Sequence, residues 1–229
     1  MGYIRDNIIE INNRIDDAAT NRGISSKDIT LIAVSKYFPA QACIEAVEAG
    51  AKYLGENRVQ ELTSKYETLG KDEVFWNFIG QLQKNKVKYI IDKVWLIQSL
   101  DSFELAEMIN KQAKKHGIIV DVLVEVNIGQ ELQKGGIMPS SLNEFSLSLQ
   151  SFENIRVKGL MAIPPVAHGD SAREYFKRMK ELYEEQKAKN LYQTPLSILS
   201  MGMSSDYVEA IEEGSNMVRI GTAIFGRRA

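Results

Sequence analysis

Ile4, Ile8, Ile11 and Ile15 fall at helical spacing, Ala18 continues the series and Gly23 closes it, so the pattern predicts that the chain opens with one amphipathic helix. Beyond Thr30 the period changes. Short apolar or β-branched runs recur at 30–35, 52–54, 75–79, 94–98, 120–126, 157–161, 196–199 and 217–220, which makes eight strand candidates. Helical periodicity fills most of the gaps, most clearly at 103–115, at 171–189 with Phe176, Met179 and Tyr183 on one face, and at 206–213, which Gly214 ends. Strands alternating with helices imply parallel pairing, because parallel neighbours need crossover connections. Eight of them predict an α/β fold, a single closed (β/α)8 barrel of the TIM type, with residues 1–229 forming one domain. The open doubly wound sheet is the alternative, but its usual mark is missing, since no G-x-G-x-x-G follows the first strand.

The 229 residues carry 28 basic and 30 acidic side chains, mixed along the chain, for a formal charge of −2. That mixture creates no field to gather a polyanion or an anionic bilayer, so neither nucleic acid nor a membrane is an expected partner. The densest basic stretch, Lys84, Lys86 and Lys88 with Lys93 beyond, lies beside Asp92 and lacks a stacking aromatic series; it reads as a solvated helix face ahead of a phosphate track. The single cysteine, Cys43, excludes an intramolecular disulfide, and no C-x-x-C pair or His/Cys cluster offers a zinc site. The N-terminus has no apolar signal core, and no run approaches the roughly 20 apolar residues of a membrane span. The expected location is the cytoplasm.

Barrels of this kind place ligands at the C-terminal ends of their strands, often with a phosphate in the loops after the last two. Residues suited to chemistry fall at those ends here. The first strand, Leu31-Ile32-Ala33-Val34-Ser35, runs directly into Lys36. Burial disfavours an ammonium and enlarges the share of neutral amine that can attack a carbonyl carbon; a lysine snorkelling at a barrel mouth explains the position equally well. After the seventh strand, Ser200-Met201-Gly202-Met203-Ser204 leads into a helix and offers N–H groups, hydroxyls and a helix N-terminus to an anion. A turn capped by Ser204 or Ser205 is the plainer reading. From the eighth strand follows Arg219-Ile220-Gly221-Thr222-Ala223, where Gly221 permits close backbone approach and Thr222 adds a hydroxyl and an N–H. Arg219, on a central strand, calls for a partner inside the mouth, a carboxylate among the alternatives.

Gly55-Glu56-Asn57 closes the second strand, and Gly80 with Gln81 the third. Asn57 can bond an acceptor on a ring, with Glu56 orienting it or balancing a cation, or it can cap the next helix as an Asx turn. His116, in a Lys-Lys-His-Gly helix end, reads as a dipole complement, and His168 as an exposed loop residue. The Met201/Met203 pair taken alone reads as packing.

Taken in order, these segments resemble the pyridoxal phosphate homeostasis proteins, the YggS/PROSC group. The motifs that carry the resemblance are Ala33-Val34-Ser35-Lys36; Gly55-Glu56-Asn57 with Gln60-Glu61; Trp76 with Phe78-Ile79-Gly80 and Leu82-Gln83-Lys84-Asn85-Lys86; Ser99-Leu100-Asp101; and Val126-Asn127 with Glu131, Lys134 and Gly136. Gly159-Leu160-Met161-Ala162-Ile163-Pro164, the segment from Leu199 to Ser204 and that from Val218 to Gly226 complete them. The resemblance implies a barrel like the pyridoxal 5′-phosphate (PLP) domain of alanine racemase, with Lys36 as the Schiff-base lysine. It implies a cofactor-contacting set of Lys36, Asn57, Ser200, Met201, Gly202, Arg219, Gly221 and Thr222, with the phosphate near Ser200, Gly202, Gly221 and Thr222 and Arg219 facing the pyridine nitrogen. Two places depart from the family pattern: Asn77 stands where members usually carry histidine, and the loop from Gly129 to Gly136 is only partly family-like.

PLP acts as an electron sink when its ring nitrogen is protonated, usually opposite a carboxylate. An arginine there leaves the nitrogen unprotonated, so carbanion chemistry is disfavoured and reversible imine exchange remains. The resemblance accordingly implies a role in PLP homeostasis without established catalytic activity, with apo PLP-dependent enzymes as recipients. A PLP-dependent amino-acid racemase is the alternative. The chain ends at Ala229, just after the eighth strand, where alanine racemases continue into a β domain that builds their dimer and supplies an opposing tyrosine; a monomer is therefore expected. A class I aldolase-like barrel would explain Lys36 and the anion loops but not the series of motifs.

Overall fold

The computed structural model describes residues 2–70, 73–131, 133–166 and 169–227. The opening amphipathic stretch folds as α1 (Tyr3–Asn21), and Ile4, Ile8, Ile11, Ile15 and Ala18 are all buried, as their spacing requires. Each such isoleucine contributes roughly 2–3 kcal/mol of transfer free energy. There follow β1 (Thr30–Val34), α2 (Ala40–Glu48), β2 (Tyr53–Glu56), α3 (Val59–Leu69), β3 (Phe75–Phe78), β4 (Leu96–Leu100), α4 (Phe103–His116), β5 (Val120–Glu125) and α5 (Leu142–Ser148). The chain ends with β6 (Ile155–Met161), α6 (Asp170–Lys189), β7 (Ile198–Ser200), α7 (Tyr207–Glu212), β8 (Met217–Ile220) and α8 (Thr222–Phe225). Every strand pairs with its sequence neighbours, and β8 returns in parallel to β1 and closes the barrel. The predicted (β/α)8 architecture with its N-terminal helix is the observed one.

Strand boundaries lie within two residues of their predicted places, and those of β8 coincide with them. β2 continues through Gly55 and Glu56 because the Gly55 backbone pairs with Val34 on one side and Asn77 on the other. A Cβ there would approach the Ile32 Cγ2 atom to 2.8 Å, so only glycine fits the barrel interior at this level. The basic stretch after β3 forms a 3₁₀ segment (Lys84–Tyr89) rather than an α-helix, with Lys86 and Lys88 near the Tyr89 ring. No helix among the described residues is long and apolar enough to cross a membrane.

Alternation along the strands divides the apolar residues in two. The larger set fills the shell between barrel and helices, and the smaller one, including Ile32, Val34, Leu96, Leu123, Met161 and Met217, fills the interior. At the N-terminal ends of the strands, Tyr53, Phe75 and Trp95 pack with ring centroids 5.0–5.8 Å apart and close the interior from below. α1 lies against α8: the Tyr3 hydroxyl donates to the Phe225 carbonyl and the Asn7 amide to that of Ile224. The helix that opens the chain thereby takes up carbonyls at the end of the shortest helix.

Candidate functional site

At the C-terminal ends of the strands the interior opens into a cavity of about 670 Å³. Lys36 reaches its wall from the end of β1, half-buried, and its ammonium has no hydrogen-bond or ion-pair partner among the described residues. The chain turns sharply after it. Tyr37 takes a left-handed conformation (φ 70°), which costs a non-glycine residue on the order of 1 kcal/mol. The turn is held by the Tyr37 N–H donating to Glu61 Oε2 at 2.6 Å and the Phe38 N–H donating to the Ser35 carbonyl at 3.0 Å.

Behind this turn, between β1, β2 and α3, lies a buried ionic cluster that only partly follows from the sequence. Lys65 Nζ donates to Glu56 Oε1 at 2.6 Å and to the Ser35 carbonyl at 2.8 Å, and the Ser35 hydroxyl donates to the same Glu56 oxygen at 2.6 Å. Glu56 therefore balances a cation, one of its two expected roles, and the cation is Lys65 rather than a ligand. Burial pushes the Glu56 carboxyl up from its ordinary range against the pull of Lys65 and Ser35, and burial likewise raises the Cys43 thiol. Asn57 follows Glu56 onto the cavity wall. The next helix has Arg58 at its N-cap without a side-chain cap, so the Asx-turn reading fails, and Asn57 Oδ1 is buried with no hydrogen-bond partner. Gly80 lies so close that a Cβ there would overlap the Asn57 carbonyl oxygen.

On the neighbouring strand end, Gly221 and Thr222 line the cavity where β8, the partner of β1, passes into α8. The Ser204 hydroxyl accepts from the Gly221 and Ala223 N–H groups at 3.3 and 3.2 Å, so it caps α8. The expectation that Ser204 or Ser205 caps the helix directly after β7 is corrected: Asp206 stands at the N-cap of α7, and its Oδ1 accepts from the Met203 N–H at 2.6 Å.

Ser200, Met201 and Gly202 lie behind the cavity wall rather than on it, and strand alternation is the reason. Ser200 points into the interior below the cavity, fully buried, its hydroxyl donating to Gln98 Oε1 at 2.8 Å and accepting from Arg219 Nη1 at 2.6 Å. Met201 points outward into the apolar shell and is fully buried there, away from any ligand in the cavity. Gly202 (φ 95°) lies under α7, where a Cβ would meet that of Ala210 at 2.6 Å. Met203, Ser204 and Ser205 form the wall in their place.

Arg219 lines the floor of the cavity and is 4% exposed. Its partners are the Ser200 hydroxyl and, at 2.9 Å, the Ala162 carbonyl, so among the described residues no carboxylate pairs with it directly. Burial draws its pKa down to about 10, which leaves it a cation at neutral pH. Two carboxylates on the wall, Glu125 at the end of β5 and Asp101 just past β4, were not singled out by strand-end reasoning. An acid closing the apolar run at 120–126 was the available signal. Burial, with Asp101 adding to it and Arg219 opposing it, pushes Glu125 up to about 7, and burial raises Asp101. His116 ends α4, as read from its basic helix end, and His168 lies outside the described residues.

The family model of the alanine racemase N-terminal domain matches residues 18–229. A pyridoxal phosphate homeostasis protein of Aquifex aeolicus is 45% identical over 216 residues, covering 94% of each chain. This chain belongs to that family. The homeostasis protein of Escherichia coli is 37% identical over all of this chain and 98% of its own. Among solved structures, the protein PipY of Synechococcus elongatus, with PLP bound, superposes with a TM-score of 0.81 at 32% identity, covering 93% of this chain and all of the other. An alanine racemase of Clostridium difficile, 19% identical, shares the fold alone, with a TM-score of 0.73 over 99% of this chain and 57% of its own. The homeostasis-family relatives thus match end to end, and the racemase matches over one part.

Proposed function

We propose that this chain holds PLP as a Schiff base on Lys36 and takes part in cytoplasmic PLP homeostasis rather than in turnover, with apo PLP-dependent enzymes as recipients. The observation that carries the reading is a lysine without a partner among the described residues on the wall of the strand-end cavity, beside the Gly221–Thr222 turn and above a buried arginine. The residues present fit the cofactor. The cavity lies within the roughly 300–1,000 Å³ usual for cofactor sites, Asn57 Oδ1 is an orphaned buried acceptor, and Thr222 adds a hydroxyl and an N–H to the wall. Bound PLP supplies an aldehyde carbon that exchanges reversibly between amines. Lys36 would hold that carbon, the N–H and hydroxyl of Thr222 with the hydroxyls of Ser204 and Ser205 would receive the phosphate beside Gly221, and Asn57 would lie beside the ring. Arg219, still protonated at neutral pH, would donate an N–H to the ring nitrogen without surrendering its proton. Ser200 would act through Arg219, and Met201 and Gly202 through the shape of the wall.

Borohydride reduction of the PLP-loaded protein followed by peptide mapping tests this directly. The pyridoxyl group is expected on Lys36, and Lys36→Ala is expected to abolish that adduct; modification elsewhere with Lys36 untouched overturns the assignment. One observation favours turnover instead: Glu125, with its pKa near 7, is poised as an acid or base inside the cavity. Incubation of the loaded protein with L- or D-alanine in deuterated water separates the two. Sustained α-deuterium incorporation that disappears in Glu125→Gln would establish a racemase and displace the non-catalytic reading.

A further inference from the structure

Asn77 and Arg219 lie three strands apart around the barrel, on β3 and β8, and a chain of side chains joins them through the interior. Asn77 Nδ2 donates to the Phe75 carbonyl at 2.9 Å, and its Oδ1 accepts from Gln98 Nε2 at 3.1 Å. Gln98 Oε1 accepts from the Ser200 hydroxyl at 2.8 Å, and Ser200 Oγ accepts from Arg219 Nη1 at 2.6 Å. Asn77, Gln98 and Ser200 are wholly buried, so water supplies these three with no alternative partners.

Each link has one orientation. A backbone carbonyl can only accept, so the Asn77 amide cannot turn over without losing its bond to Phe75. Its oxygen must then meet an N–H of Gln98, which turns the Gln98 oxygen toward Ser200. Ser200 spends its only hydrogen there, and its lone pairs face the guanidinium. Were Gln98 reversed, an N–H would point at Ser200 and the freed hydroxyl hydrogen would compete with the Arg219 donor. The carboxylates that act on Arg219, those of Glu125 and Asp206, do so through space and leave the direction of its N–H groups to Ser200 and Ala162.

We propose that Asn77 is a positioning residue: through Gln98 and Ser200 it fixes the direction in which Arg219 presents its remaining N–H donors to the cavity. The consequence for cofactor affinity rests on the PLP reading above, whereas the relay itself does not. Asparagine cannot titrate, so the direction is independent of pH. A histidine at this position makes it conditional. Neutral imidazole offers one acceptor and one N–H, the two functions Asn77 uses in the relay, but imidazolium offers two N–H groups and no acceptor.

Two measurements test the relay. PLP affinity is read by fluorescence titration for wild type, Asn77→Leu and Asn77→His at pH 8.5 and pH 5.5. Each variant is compared with wild type at the same pH, which cancels the titration of Lys36, Asp101, Glu125, Asp206 and the cofactor. Exchange of the Arg219 Nε–H proton is followed by NMR in protein without PLP. Asn77→Leu is expected to bind PLP about tenfold more weakly, the loss of roughly one buried hydrogen bond, and to speed Arg219 exchange at least about fivefold. Asn77→His is expected to match wild type at pH 8.5 and to fall about tenfold below it at pH 5.5, a signature that space-filling alone does not produce. Unchanged Arg219 exchange in a folded Asn77→Leu, or an Asn77→His that tracks wild type at both pH values, overturns the proposal. Should Asn77→Leu not fold, Asn77→His decides. A wild type that takes up no PLP counts against the PLP reading, while the exchange measurement still decides the relay.

Discussion

The two ends of the barrel are built by the same strand alternation and differ in what their inward groups do with their bonding capacity. At the N-terminal end, Tyr53, Phe75 and Trp95 cover one another, and Arg156 grips Asp121 across β5 and β6 with bonds of 2.5 and 3.0 Å. At the C-terminal end, Lys36 has no partner among the described residues, Asn57 Oδ1 is orphaned, and Glu125 and Asp101 share a wall as like charges. Unspent polar capacity is costly in a folded protein and is retained where something else supplies the missing partner. The difference teaches that the mouth is a site and the floor a plug, although both are made of strand ends.

The sharpest way to break this contrast is to remove what holds the mouth from behind. Lys65→Ala leaves the fully buried Glu56 carboxylate without its cation, and one of its oxygens, Oε2, already has no partner. Loss of one member of a buried pair costs roughly 3–5 kcal/mol, which urea denaturation would show as a lower midpoint. The Ser35 carbonyl, immediately before Lys36, loses its donor in the same step, so the yield of borohydride-fixed adduct on Lys36 is expected to fall as well. Full stability with full adduct would mean that the cluster backs nothing.

At the floor the expected outcome is the reverse. Trp95→Ala removes a half-buried ring from the aromatic plug and is expected to cost about 2–3 kcal/mol, less than a fully enclosed tryptophan. PLP uptake should not change, because the lesion lies at the far ends of the strands from the cavity. A tenfold loss of PLP affinity in a protein that still folds would erase the distinction between plug and site.

Much of this was legible in the sequence, because periodicities of 2 and 3.6 are local. They located all eight strands and the opening helix, and strand-end logic brought Lys36, Asn57, Arg219, Gly221 and Thr222 to one cavity. The same alternation, carried one residue further, separates Ser200, facing inward, from Met201, facing the shell; reading the 200–204 segment as a block concealed it. Other features are non-local. Ser204 reaches across to cap α8 rather than its own helix, Lys65 finds Glu56 and Ser35 only when α3 packs on β1 and β2, and Gln98 meets Asn77 and Ser200 only when the barrel closes. No spacing along the chain announces these contacts.

The smallest expected effect separates mouth from floor by charge. Glu125 holds its proton up to about pH 7, well above the ordinary carboxyl value of 4.5 that the unfolded chain takes. Below that ordinary value both states are protonated, and the group makes its full contribution to stability. As pH rises toward 7 the unfolded chain ionises first, and the contribution is lost through the folded pKa. Glu125→Gln keeps the shape and removes the charge, so at pH 8 it is expected to be more stable than wild type by on the order of 1–2 kcal/mol, a melting shift of roughly 3–6 °C for a chain of this size. At pH 3.5, below both values, the two should melt together, since the wild-type carboxyl is then neutral in the folded and the unfolded chain alike. If Glu125 instead formed a stabilising pair with Arg219, the sign at pH 8 would invert, and the substitution would lower the melting temperature. Scanning calorimetry at the two pH values reads that sign directly: a positive shift at pH 8 means that the mouth gives up stability to keep a carboxylate in its wall, whereas the Arg156–Asp121 pair at the floor keeps its charges partnered.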